Sequence, residues 1–132
     1  MRYLMHACVA TSLLLSGLTA NAQFYPRDRY DQDAGRDYAR LMDRVRTDLD
    51  RAQAGTLPFT ADRVRVERAL EQLNGFQRRM SAGDYDRRDL EEAIVAVQRV
   101  TDNNRNLSVY DRDYLSSDVN RLRDYQAVLD GR

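Results

Sequence analysis

The sequence predicts an all-α protein, an antiparallel up-down-up-down four-helix bundle that follows a signal peptide. Three observations lead there. Beyond residue 22 the apolar residues recur at helical spacing in four phased stretches, each stretch stops at glycine or asparagine, and no run alternates with the two-residue period of a strand.

The N-terminus has a different pattern. Arg2 supplies a positive start, Leu4 to Leu18 is mostly apolar, and Ala20-Asn21-Ala22 has the small-x-small form of a cleavage site, so residues 1–22 read as a secretory signal peptide. The apolar run is too short for a spanning helix and no second one follows, so no membrane span is expected in the mature form. The expected location is secreted or periplasmic. His6 and Cys8, the only histidine and cysteine, fall inside the signal. From Gln23 the mature chain would hold 110 residues with 20 Arg, 21 acidic residues and no Lys, Cys, His or Trp, enough for one domain held by burial alone.

Residues 23–32 have no apolar period and contain Pro26, which reads as a flexible leader to a single helical domain over 33–132. The first helix is predicted over about 33–54, with Tyr38, Leu41, Met42, Val45, Leu49 and Ala52 on its apolar face and Gly55 at its end. Its other face offers ion pairs at helical spacing: Asp37 with Arg40, Arg44 with Asp48, Arg46 with Asp50 and Asp48 with Arg51. The second helix, about 61–82, follows an N-cap at Thr60, carries Val66, Ala69, Leu70, Leu73, Phe76 and Met80, and stops at Gly83. Asn74-Gly75 is a turn signal inside it. The apolar period keeps phase across that pair, which favours one helix with a kink or a close contact at Gly75.

The third helix, about 86–103, is capped by Asp86 and faced by Leu90, Ala93, Ile94, Val97 and Val100. The fourth, about 109–130, opens on a Ser108/Asp111 capping pattern and carries Leu115, Val119, Leu122 and Leu129. An internal pattern runs through the last three helices. Asp62-Arg63-x-x-Val66-x-x-x-Leu70-x-x-Leu73 recurs from Asp86 and again from Asp111, at spacings of 24 and 25 residues. Each copy puts a carboxylate at a helix start, where the helix dipole favours it, ahead of an apolar stripe.

Composition excludes more functions than it suggests. With no mature Cys, His or Lys there is no thiol or histidine-activated nucleophile, no histidine zinc site and no Schiff-base amine. Acids interleaved with the arginines leave no uncompensated basic face, so no nucleic-acid partner is expected. The 17 Asp and 4 Glu make carboxylate pairs common on any face, which leaves a carboxylate-dependent glycan-acting enzyme as a remote alternative. No catalytic residue and no cofactor are assigned.

Two features could bind something. Read as a twelve-residue calcium loop, 102–113 places Asp102, Asn104, Asn106 and Asp113 at ligand positions one, three, five and twelve. Against that, Leu107 stands where the loop needs glycine, and Arg105 and Arg112 oppose a cation, so an asparagine-rich turn explains the residues without metal. Tyr110, Tyr114 and Tyr125 form a candidate interaction stripe on the fourth helix, about 100° round from the leucine face. The function expected is an exported, non-enzymatic helical module with a mixed Arg/Asp surface that binds another protein or an envelope component or acts structurally. A calcium-responsive module on 102–113 is the alternative.

Overall fold

Helices form where the apolar stripes predict them. The computed structural model describes the backbone of residues 27–131 and the side chains of residues 35–131, so the signal peptide expected over 1–22 lies outside the described residues. The four helices are α1 (Arg27–Ala54), α2 (Ala61–Ser81), α3 (Arg87–Asn103) and α4 (Val109–Asp130), and no strand occurs among the described residues. α1 starts at Arg27, ahead of the expected position near Asp33, so residues 27–32 of the expected leader belong to it. An apolar stripe shows where a helix is buried. It does not show how far the helix continues outward, because each further turn adds hydrogen bonds without needing burial.

The ends follow local chemistry. Thr60 caps α2 by accepting from the Arg63 amide, Asp86 caps α3 by accepting from Arg88, and Ser108 caps α4 by accepting from Asp111. α2 closes in a Schellman turn. Gly83, at φ 78°, donates to the Met80 carbonyl and Asp84 to that of Arg79. The three Asp-Arg pairs are not equivalent in this respect, since only Asp86 is itself the cap, while Asp62 and Asp111 sit within the first turn.

Each helix packs on two others in a ring: α1 on α2, α2 on α3, α3 on α4 and α4 on α1, and among the described residues the backbones of diagonal pairs do not approach closely. The core between them is made of Met42, Val45 and Leu49 from α1, Val66, Leu73 and Phe76 from α2, Leu90, Ile94 and Val97 from α3, and Leu115, Val119 and Leu122 from α4. These are the predicted faces. Leu70 differs, being only partly buried at the edge of the core, as do Tyr38, Leu41, Met80 and Leu129. α2 runs unbroken through Asn74-Gly75, and a Cβ placed on Gly75 would meet nothing within 4 Å, so no close contact requires the glycine. Arg46 also departs from its expected partner. Its guanidinium reaches across to donate to Asn74 and Gln77 of α2 and does not turn back to Asp50.

Candidate functional site

The loop predicted as a calcium candidate is tied to the start of α2. Asp62, nearly buried, accepts from the Asn106 amide group at 3.3 Å and from Arg65 at 2.7 Å, while the buried Asn104 donates to the Asp62 carbonyl at 3.4 Å. Arg112 donates to the carbonyls of Thr101 and Asn104, and Arg65 to that of Asn103 at 3.1 Å. Asp102 accepts from the Thr101 hydroxyl at 3.2 Å and Asp113 is exposed. Of the four residues at ligand positions, two therefore bind the loop to α2. Among the described residues no group of three or more acidic, Cys or His side chains could hold a metal ion.

The tyrosine stripe divides. Tyr110 and Tyr114 are exposed, with the Arg51 guanidinium 5.6 Å from the centre of the Tyr114 ring. Tyr125 instead stacks on Tyr38 with ring centres 5.3 Å apart, and Tyr38 also meets Phe76 edge-on. Burial, and then the neighbouring Tyr125, push the Tyr38 hydroxyl up to about 12. Tyr125 is thus part of the packing, and the surface stripe reduces to two rings.

One of those rings, Tyr110, belongs to a larger apolar group at one end of the bundle. The contacts of Asp62 with Asn106 and of Arg65 with Asn103 bring the α3–α4 loop to the start of α2, so the exposed Leu57, Phe59 and Val64 share that end with the exposed Val109 and Tyr110. Phe59 is fully exposed and holds φ at 61°, the only left-handed non-glycine among the described residues. For an L-residue that backbone costs about 1–2 kcal/mol. The sequence places a glycine nearby at 55, yet the left-handed position falls on the phenylalanine, and no sequence signal marks it.

A second feature missed by the sequence reading lies inside. Asp118 of α4 has no exposed surface, and neither carboxylate oxygen has a hydrogen-bond donor. Its Oδ1 lies 3.3 Å from Arg44 Nε of α1, and the same nitrogen lies 4.0 Å from the nearly buried Asp48 carboxylate of α1. Burial first, then hydrogen bonding with Asp48 and its charge, push Asp118 up to about 7, while Arg44 and Arg121 pull it down. Asp48 in turn holds Arg51 at 2.9 Å.

The signal for this pair was present in the repeat. Aligning the apolar stripes gives Val45-x-x-Asp48-Leu49, Val66-x-x-Ala69-Leu70, Leu90-x-x-Ala93-Ile94 and Leu115-x-x-Asp118-Val119. One register position therefore holds a buried alanine in α2 and α3 and a buried aspartate in α1 and α4. Comparison with known protein families, with curated proteins and with solved structures finds no match.

Proposed function

We propose that this chain is an exported helical protein, secreted or periplasmic, whose helices run up-down-up-down and which binds another protein or an envelope component without catalysing a reaction. The carrying observation is the apolar group at the loop end, with Phe59 fully exposed on a left-handed backbone. Glycine or asparagine would serve that turn at less cost, so folding alone gives no reason for an aromatic there. A solvent-facing Phe, Leu and two Val beside a Tyr instead suit a surface that is covered when a partner docks.

The antiparallel order is supported by cross-helix contacts whose numbering runs in opposite directions. From α1 to α4 these are Tyr38 with Tyr125, Arg44 with Asp118 and Arg51 with Tyr114. From α3 to α4, Thr101 meets Arg112 and Arg87 meets Asp130. Export is supported by the charged start, apolar run and small-x-small site of residues 1–22. The reading as a binder without catalysis follows from composition, since no Cys, His or Lys occurs beyond residue 22. Among the described residues no helix is long and apolar enough to cross a membrane.

The test is site-specific photo-crosslinking in the producing cell. A photoreactive side chain at position 59 or 110 should give a discrete adduct, and one at the exposed Thr47 of α1 should give none. Phe59→Gly, which removes ring and strain together, should abolish the adduct formed from 110 and leave the melting temperature unchanged or higher. Equal labelling from all three positions, or from none, would contradict the reading.

A further inference from the structure

Arg68 of α2 and Arg99 of α3 are exposed arginines of different helices that line the same cavities. Neither makes an ion pair or a hydrogen bond, although acids surround them. Three of the acids are held by other arginines, Glu67 by Arg63 at 3.0 Å, Glu92 by Arg88 at 3.2 Å and Asp62 by Arg65 at 2.7 Å, while Glu91 is not. Both free arginines line the same two cavities along the α2–α3 seam, of about 210 and 440 Å³, and Ala96 lines both cavities with them. Ala96 presents only a methyl group to each cavity.

The smaller cavity is also lined by Val64, and Val64 lines a third cavity, of about 410 Å³, together with Phe59 and Pro58. The three therefore make one trough, from the exposed Phe59 at the loop end, past Val64, to the paired arginines. Along α2, residues 60 to 68 rise about 12 Å, the span of about four extended residues. At its far end the larger cavity carries Glu91, a carboxylate with no arginine on it, two turns from Arg99 along α3. An anionic group is thus favoured between Arg68 and Arg99 and opposed beyond them.

We propose that this trough docks an acidic peptide segment of a partner protein, with an apolar residue against Phe59 and Val64 and a carboxylate held between Arg68 and Arg99. Two forked guanidinium groups without internal partners suit a carboxylate, and the apolar head of the trough supplies what a free anion would not use. The proposal rests on the reading of the chain as a protein-binding module and names the chemistry of its partner.

Fluorescence anisotropy with the full chain tests it, using a short labelled peptide of alternating leucine and glutamate and its leucine–glutamine twin. Binding should be seen for the glutamate peptide, and Arg68→Gln and Arg99→Gln should each weaken it about tenfold or more. Neither arginine supports the fold, so circular dichroism should stay unchanged in both. Ala96→Leu, which enlarges a side chain lining both cavities, should weaken binding without removing either charge. Equal binding of the glutamine twin, no effect of the arginine substitutions, no binding of the glutamate peptide, or inorganic phosphate binding as well as the peptide would each overturn the proposal. A peptide that depends on Phe59 and ignores both arginines would sink the clamp and leave the loop-end reading standing.

Discussion

The α1–α4 seam and the α2–α3 seam are built on the same register and filled with opposite chemistry. In α2 and α3 the position ahead of the second apolar residue is Ala69 and Ala93, both fully buried. In α1 and α4 it is Asp48 and Asp118, also buried, with Arg44 drawn in beside them. The difference teaches what a buried carboxyl requires. Without a hydrogen-bond donor of its own, Asp118 avoids the cost of an isolated buried charge by keeping a proton to about pH 7. At this register one seam holds two methyl groups and the other two carboxyls, and the α2–α3 seam carries its own ion pair further along, Arg79 with Asp89 at 2.6 Å.

Moving the carboxyl from one seam to the other gives the largest expected effect. Ala93→Asp would bury an acid on the α3 flank that carries Ala96, with neither Arg44 nor Asp48 beside it. Urea unfolding at neutral pH should show a loss of about 3–5 kcal/mol, smaller in acid where the new side chain is neutral. Next comes the purely apolar part of each seam. Ile94→Ala and Leu122→Ala, both buried, should each cost about 2–5 kcal/mol, whereas Leu70→Ala, only partly buried, should fall below that range. Loss at Leu70 equal to that at Leu122 would break the register on which the comparison stands.

Proton linkage gives the next effect, and its sign is fixed by the direction of the shift. An unfolded Asp loses its proton near pH 4, while folded Asp118 holds it to about 7, so between those values the folded state carries the extra proton. The contribution of this group is fully present below about pH 4 and falls by about 1.4 kcal/mol per pH unit as pH rises towards 7. Asp118→Asn, which donates to Asp48 at every pH, should remove that slope and be more stable than the parent by about 1–3 kcal/mol above pH 7. The smallest effect lies within α2. Gly75→Ala, with open space at its Cβ, should raise stability by about 0.5–1 kcal/mol through helix propensity alone.

Residues whose role is set by local pattern could be read from the sequence. Thr60, Asp86 and Ser108 act as caps and Gly83 as the left-handed stop because each solves a problem within a few residues of itself. The core faces followed for the same reason, since a helical period is a local property. Asp118 was legible only by comparing copies: in one stripe it looks like another surface acid, and only the alanines at 69 and 93 show that its position points inward. Arg46 and Asn106 were not legible, because their partners lie 28 and 44 residues away and are chosen by packing. Phe59 was not legible either, as its backbone is imposed by closing α1 onto α2 and not by any preference of phenylalanine.

Whether Asp118 keeps its proton at neutral pH is read most directly from the carboxyl carbon-13 shift of that side chain, followed by NMR in the folded protein from acid to alkaline pH. A midpoint near 7 for Asp118, with no such transition in Asp118→Asn, is the predicted result. A midpoint near the ordinary carboxylate value of about 4 would contradict it, and the two seams would then differ only in residue type.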